Sequence, residues 1–152
     1  EFCVVSPDVG SVARARNFAQ KVHMNLAIVD KRRQKANESE VMNVIGDVKG
    51  KTCILYDDMV DTAGSLCGAA NALVERGGAK EVYACASHGV LSGPAIDRIE
   101  ASVIKELRLC DTIPYPADKP RLEKIQYESV ASLFAEAIKR VYEEVSISTL
   151  FN

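Results

Sequence analysis

"CILYDDMVDTAGSLCGAA", residues 53–70, is the stretch from which the fold can be read. It joins an apolar run, Cys53 to Tyr56, to the adjacent carboxylates Asp57 and Asp58 and then to Thr62, Ala63, Gly64 and Ser65. From there Ala63, Leu66, Cys67, Ala70, Leu73 and Val74 recur at helical spacing until Gly77 and Gly78 stop the pattern. A short strand handing over to a helix is half of a βαβ unit, which predicts an α/β fold with a mostly parallel sheet and helices on both faces. In such sheets ligands sit outside the carboxyl ends of strands, so Asp57 and Asp58 stand where a site is expected.

The same turn combines two chemistries. Thr62 to Ser65 open the helix, where backbone N–H groups lack intrahelical partners and the positive end of the dipole favours a phosphate. Gly64 permits close backbone approach, while Thr62 and Ser65 add hydroxyls. Carboxylates beside such a cradle make sense if they accept hydrogen bonds from neutral hydroxyls, as on a ribose, or hold a magnesium ion between ligands. The ligand this describes is a sugar phosphate. The competing reading is that Asp61 or Thr62 caps the helix and the two aspartates fill a turn.

Working outward, Phe2 to Val5, Leu26 to Val29, Val82 to Ala86 and Leu107 to Cys110 read as further strands. Residues 10–22 read as a helix. Another follows Ser129, with Val130, Leu133, Phe134, Ala137, Ile138 and Val141 inward and Glu136 paired outward with Arg140. "SPDVGS", residues 6–11, is a second strand-to-helix turn that puts Asp8 and Gly10 in reach of a second anion or its metal, unless it is a plain type I turn. The polar stretch 31–40 carries Lys31, Arg32, Arg33 and Lys35; it is either a loop that closes over a polyphosphate or a solvated basic loop. Residues 113–121, rich in proline, read as a connection. "GDVKGKT", residues 46–52, has three residues between its glycines where a nucleotide P-loop needs four, and a strand follows, so it reads as a turn. His23 is expected to be inert, and His88 to follow a strand nearer the site.

Of the 152 residues, 47% are hydrophobic and 26% charged, which suits one compact domain with a real core, spanning 1–152. A net charge of −2 supplies no overall basic field, and no aromatic residue accompanies the cations at 31–35, so neither nucleic acid nor a membrane surface is an expected partner. The five cysteines form no CxxC pair and read as small buried hydrophobes, which predicts a reducing, cytoplasmic setting. No apolar run approaches the roughly 18 residues of a membrane span. Without an initiator Met, and with "FCVVS" already reading as the middle of a strand, the chain is expected to be an excised fragment.

"DDMVDTAGS" resembles the phosphoribosyl-pyrophosphate loop of the type I phosphoribosyltransferase fold. The wider set "VVSPDVGS", "DKRRQKAN", "VIGDVKGKTCILYDDMVDTAGS", "SHGVLSGPAIDRIE", "DTIP" and "SISTLF" is similar to the ribose-phosphate pyrophosphokinases, in order and at family-like spacing. That resemblance implies transfer of the diphosphoryl group of MgATP to the 1-hydroxyl of ribose 5-phosphate, giving phosphoribosyl pyrophosphate and AMP for nucleotide biosynthesis. It implies that Asp57 and Asp58 face the ribose hydroxyls and that Asp61, Thr62, Ala63, Gly64 and Ser65 cradle the 5-phosphate. Asp8, Val9, Gly10 and Ser11 lie near the diphosphate, with Asp8 on a magnesium ion (Mg2+), and Lys31 and Arg33 match the pair on a flexible catalytic loop. Ser146, Ser148 and Phe151 match part of an allosteric phosphate or ADP site between subunits of a homo-oligomer, a hexamer in that family. Ser65 stands where many relatives have Thr, and Val9 and Ser11 replace a commoner Ala and Gly.

The resemblance is to the C-terminal half of that family. The N-terminal half, absent here, supplies much of the ATP pocket and a metal-binding His, so this fragment alone is expected to be inactive. Two alternatives remain: a phosphoribosyltransferase, which shares Asp57 to Ser65 but neither "DKRRQKAN" nor "SISTLF", and a non-catalytic regulatory subunit, against which the intact Lys31 and Arg33 argue.

Overall fold

A computed structural model describes residues 1–32 and 41–151. The segment 33–40, which holds Arg33 and Lys35, lies outside the described residues.

Among the described residues seven strands form one sheet: β1 (Phe2–Ser6), β2 (Asn25–Arg32), β3 (Val41–Ile45), β4 (Thr52–Val60), β5 (Glu81–Gly89), β6 (Ile104–Cys110) and β7 (Ile125–Glu128). Their spatial order is β3-β2-β1-β4-β5-β6-β7. All neighbours are parallel except β2 and β3, which pair antiparallel from Ile28↔Ile45 to Arg32↔Val41. The expected fold class therefore holds.

The helices are α1 (Val12–Lys21), α2 (Gly64–Glu75), α3 (Ala95–Ala101) and α4 (Ala131–Tyr142). Alternation along β4 and β5 sends Cys53, Leu55, Val82 and Ala84 to one face, where they pack with Leu66, Ala70 and Leu73 of α2 and Ile96 and Ile99 of α3. On the other face Val4 packs with Ala15 and Ala19 of α1, and Phe18 stacks on Tyr56 with ring centroids 4.5 Å apart. Farther along that face, Phe2, Ile54, Tyr83 and Cys85 border an apolar concavity of about 320 Å³. Burying a full Leu such as Leu73 contributes about 1.5–3 kcal/mol, and these side chains hold the layers together.

Several expectations are corrected. The polar stretch expected to be a loop from residue 31 begins as strand, since β2 runs on through Arg32 while it pairs with β3. His88 lies within β5, its Nδ1 2.8 Å from Thr112 Oγ1. The face of α4 expected to turn inward is largely open: no residue of α4 is buried, and Phe134, Ile138 and Val141 are 58%, 68% and 67% exposed. Arg140 does pair with Glu136, at 2.8 Å. All five cysteines are free, three of them buried and two half-buried. Residues 113–121 connect β6 to β7, and 46–51 form the turn before β4. Among the described residues no helix is long and apolar enough to cross a membrane.

Candidate functional site

Parallel pairing brings the carboxyl ends of β1, β2 and β4 to one edge of the sheet, and the site is assembled there. After β1 the chain turns through residues 7–11. Ser6 Oγ donates to the Asp8 carbonyl and the Ser11 N–H donates to Asp8 Oδ1, both at 2.7 Å, so the carboxylate of Asp8 braces its own turn. Ser11, itself buried, then donates from Oγ to Asp57 Oδ1 at 3.2 Å. This bond ties the first turn to the second.

Asp57 and Asp58 do not follow β4 but belong to it, because pairing with β5 continues to Val60↔Gly89. Asp57 is the more enclosed, its side chain 17% exposed against 47% for Asp58. Arg14, in the first turn of α1, reaches back to both: Nη1 lies 2.5 Å from Asp58 Oδ2 and Nη2 lies 3.9 Å from Asp57 Oδ1. Burial pushes the Asp57 carboxyl above its usual range, and the charges of Asp58 and Asp8 add to the effect. Asp58 moves the other way: against the cost of its burial, the hydrogen bond with Asp57 and the Arg14 guanidinium hold it below that range.

Helix α2 starts at Gly64, two residues later than expected, after Ala63 adopts the left-handed conformation with φ 59°. No side chain caps it, and no acidic residue lies in its first turn. The reading of Asp61 or Thr62 as a cap is therefore wrong; the Asp61 carboxylate accepts instead from Ser92 Oγ. An uncapped N-terminus leaves its N–H groups and dipole open to an anion. Asp8, Asp57 and residues 59–66 line a cavity of about 200 Å³. A Cβ on Gly64 would lie 3.3 Å from Arg98 Nη1, so the bare Cα makes room for that guanidinium.

The structure brings together Asp8, Ser11, Asp57, Asp58 and Asp61 to Ser65. Lys31, exposed at the end of β2, lies on the same edge of the sheet, and Val9 and Gly10 form the exposed tip of the first turn. Ser146, Ser148 and Phe151 are elsewhere: the two serine hydroxyls are 2.8 Å apart, and Lys21, the last residue of α1, donates to the Phe151 carbonyl at 3.1 Å. Since α1 runs back from the site, its last residue marks the opposite edge of the sheet. Arg14, Ser92 and Arg98 escaped the sequence reading. For Arg14 a signal existed, since its i,i+3 spacing from Ser11 puts both on one side of the first turn.

Among the described residues no group of three or more His, Cys, Asp or Glu could hold a metal ion by itself. Asp8 Oδ1 is committed to its turn. A magnesium ion held by one or two carboxylates and otherwise by water and ligand phosphates would not need such a group.

The chain matches the family model "Phosphoribosyl synthetase-associated domain" over residues 32–152. It is 62% identical over 149 residues to a ribose-phosphate pyrophosphokinase of Clostridium tetani, covering 98% of this chain and 46% of that protein. A ribose-phosphate pyrophosphokinase of Bacillus cereus is 56% identical over 152 residues, 100% of this chain and 47% of that protein. Among solved structures, a phosphoribosylpyrophosphate synthetase from Mycobacterium smegmatis superposes with a TM-score of 0.84 at 43% identity, over 94% of this chain and 45% of that one. The chain thus spans about half the length of the curated relatives it matches.

Proposed function

The chain belongs to the phosphoribosyl synthetase-associated domain family, and on that premise we propose that the protein of which it is the matched half makes phosphoribosyl pyrophosphate from MgATP and ribose 5-phosphate. The observation that carries this reading is the uncapped, left-handed start of α2 directly beside Asp57 and Asp58. Main-chain N–H groups of Asp61 to Ser65 hold the 5-phosphate, and the Thr62 and Ser65 hydroxyls add to them. The Asp57 and Asp58 carboxylates accept from the ribose hydroxyls, which sets the anomeric carbon toward the turn of Asp8, Val9, Gly10 and Ser11, where the diphosphate lies.

In the reaction the oxygen of the 1-hydroxyl forms a bond to the β-phosphorus as the bond from that phosphorus to the α,β-bridging oxygen breaks. AMP leaves with the bridging oxygen, and the hydroxyl proton passes to solvent. Lys31 and Arg33 are the catalytic residues, stabilising negative charge on the phosphoryl oxygens. Asp8 would hold a magnesium ion, which when bound screens the nucleotide's phosphates. The 152 residues alone form little or no AMP, because in the resembled family the unmatched half supplies much of the ATP pocket. Ser146, Ser148 and Phe151 belong to an allosteric phosphate or ADP site completed by another subunit of a homo-oligomer.

Calorimetric titration of the intact protein with ribose 5-phosphate tests the site. Binding that is lost in Asp57→Ala and Asp58→Ala supports it; no binding, or binding indifferent to both substitutions, refutes it. AMP formation from ATP and ribose 5-phosphate, compared with turnover of phosphoribosyl pyrophosphate and purine or pyrimidine bases, separates this reading from that of a phosphoribosyltransferase.

A further inference from the structure

The segment after β5 grips the phosphate loop from behind. Val90 and Leu91 both donate from N–H to the Val60 carbonyl, at 3.0 and 3.1 Å, and the Ser92 N–H donates to the Asp61 carbonyl at 3.1 Å. Ser92 Oγ donates to the Asp61 carboxylate, and Arg98 Nη1 donates to the Thr62 carbonyl at 3.0 Å. Three successive carbonyls are thus taken up by one segment. Leu91, buried with 1% exposure, is held there at φ 52°, a conformation that costs a non-glycine residue about 1–2 kcal/mol.

Peptide planarity turns this into a statement about the N–H groups. In a trans peptide the C=O of one residue and the N–H of the next point in opposite directions. Fixing the carbonyls of Val60, Asp61 and Thr62 toward residues 90–98 therefore aims the N–H groups of Asp61, Thr62 and Ala63 the other way. None of residues 90–98 lines the cavity of Asp8, Asp57 and residues 59–66. The missing Cβ of Gly64 leaves space for Arg98 to reach the Thr62 carbonyl.

We propose that Arg98 and Ser92 are positioning residues for the ribose 5-phosphate site, acting through the Thr62 carbonyl and the Asp61 carboxylate to keep the amides of the phosphate loop aimed at the ligand. Neither residue lines the cavity itself. The proposal rests on the reading of Asp61 to Ser65 as a phosphate cradle, and it assigns a task to "LSGPAIDR", residues 91–98, that the loop motif alone does not contain.

The test uses the intact protein with ribose 5-phosphate as titrant, together with steady-state kinetics and a thermal melt. Arg98→Ala is expected to raise the Kd and KM for ribose 5-phosphate about tenfold, the equivalent of about 1.4 kcal/mol, with KM for ATP and kcat at saturation within about twofold. Arg98→Lys, which keeps one donor within reach of the Thr62 carbonyl, recovers part of the loss. Ser92→Ala, which keeps its main-chain bond, raises the same KM about threefold and serves if Arg98→Ala fails to fold. A fall in kcat and in both affinities alongside a lowered melting temperature, without rescue by lysine, would mark a merely structural role and overturn the proposal. So would unchanged ribose 5-phosphate affinity in both alanine variants while Asp57→Ala abolishes binding, which leaves the cradle reading standing. If the wild-type protein does not bind ribose 5-phosphate, both fall together.

Discussion

Arg14 Nη1 sits 2.5 Å from Asp58 Oδ2, joining the first turn of α1 to the end of β4 across the mouth of the site. Both side chains are about half exposed, so the pair is worth no more than about 1 kcal/mol in stability. Its consequence is electrostatic: the guanidinium is one of the groups that hold Asp58 below the usual carboxylate range while Asp57 is pushed above it. Arg14→Ala is expected to move the Asp58 carboxyl back up, and Arg14→Lys to restore it in part. Carboxyl carbon shifts followed through an NMR pH titration read this directly, and an Asp58 that titrates unchanged in Arg14→Ala would refute it.

The raised pKa of Asp57 has a cost for the fold. A carboxyl whose folded-state pKa lies above its unfolded value adds stability when protonated, and that contribution is lost as pH rises through the folded value. Ionising Asp57 therefore works against its burial. Asp57→Asn is therefore expected to raise Tm at pH 7, with the gain vanishing as the pH falls below the ordinary aspartate range. The same substitution should weaken ribose 5-phosphate binding, measured by titration, and remove from its pH profile the step that Asp57 contributes above that range.

Much of this arrangement was legible because the sequence repeats a physical pattern. Apolar runs followed by turns and helical spacing marked β1, β2, β4, β5 and β6 along with α1, α2 and the existence of α4. What escaped was short or mixed. β7 has four residues, two of them polar; β3 is a five-residue edge strand; α3 spans only seven residues, directly after Gly93-Pro94. The carboxylates of the site could be found from their place after an apolar run. Ser92 and Arg98 act through partners 31 and 36 residues away in the chain, a relation no local spacing encodes.

The period of α4 showed where its apolar face is but not that anything covers it. Phe134→Ala and Ile138→Ala in the 152-residue chain are therefore expected to change unfolding free energy by no more than about 0.5 kcal/mol, as for exposed positions generally. Leu73→Ala, at a fully buried position of α2, should cost about 2–5 kcal/mol. Urea denaturation of the three variants checks both statements. Losses at Phe134 comparable to that at Leu73 would mean that the face is covered in solution.

Lys31 is carried to the ligand edge of the sheet by the extension of β2 beyond Ile28, the last residue of that strand paired with β1. A cation there, on an element that carries neither Asp57 and Asp58 nor Asp61 to Ser65, can act on the transferred group without contributing to ground-state binding of the sugar. Lys31→Ala and Arg33→Ala in the intact protein should each lower kcat by about 100-fold or more, the scale found when one charge-stabilising donor is removed, and leave KM for ribose 5-phosphate within about threefold. Product formation followed in single turnovers separates chemistry from release. If the rate of that step survives both substitutions, the charge on the phosphoryl oxygens is met by other groups, and the extended β2 is only a structural arm.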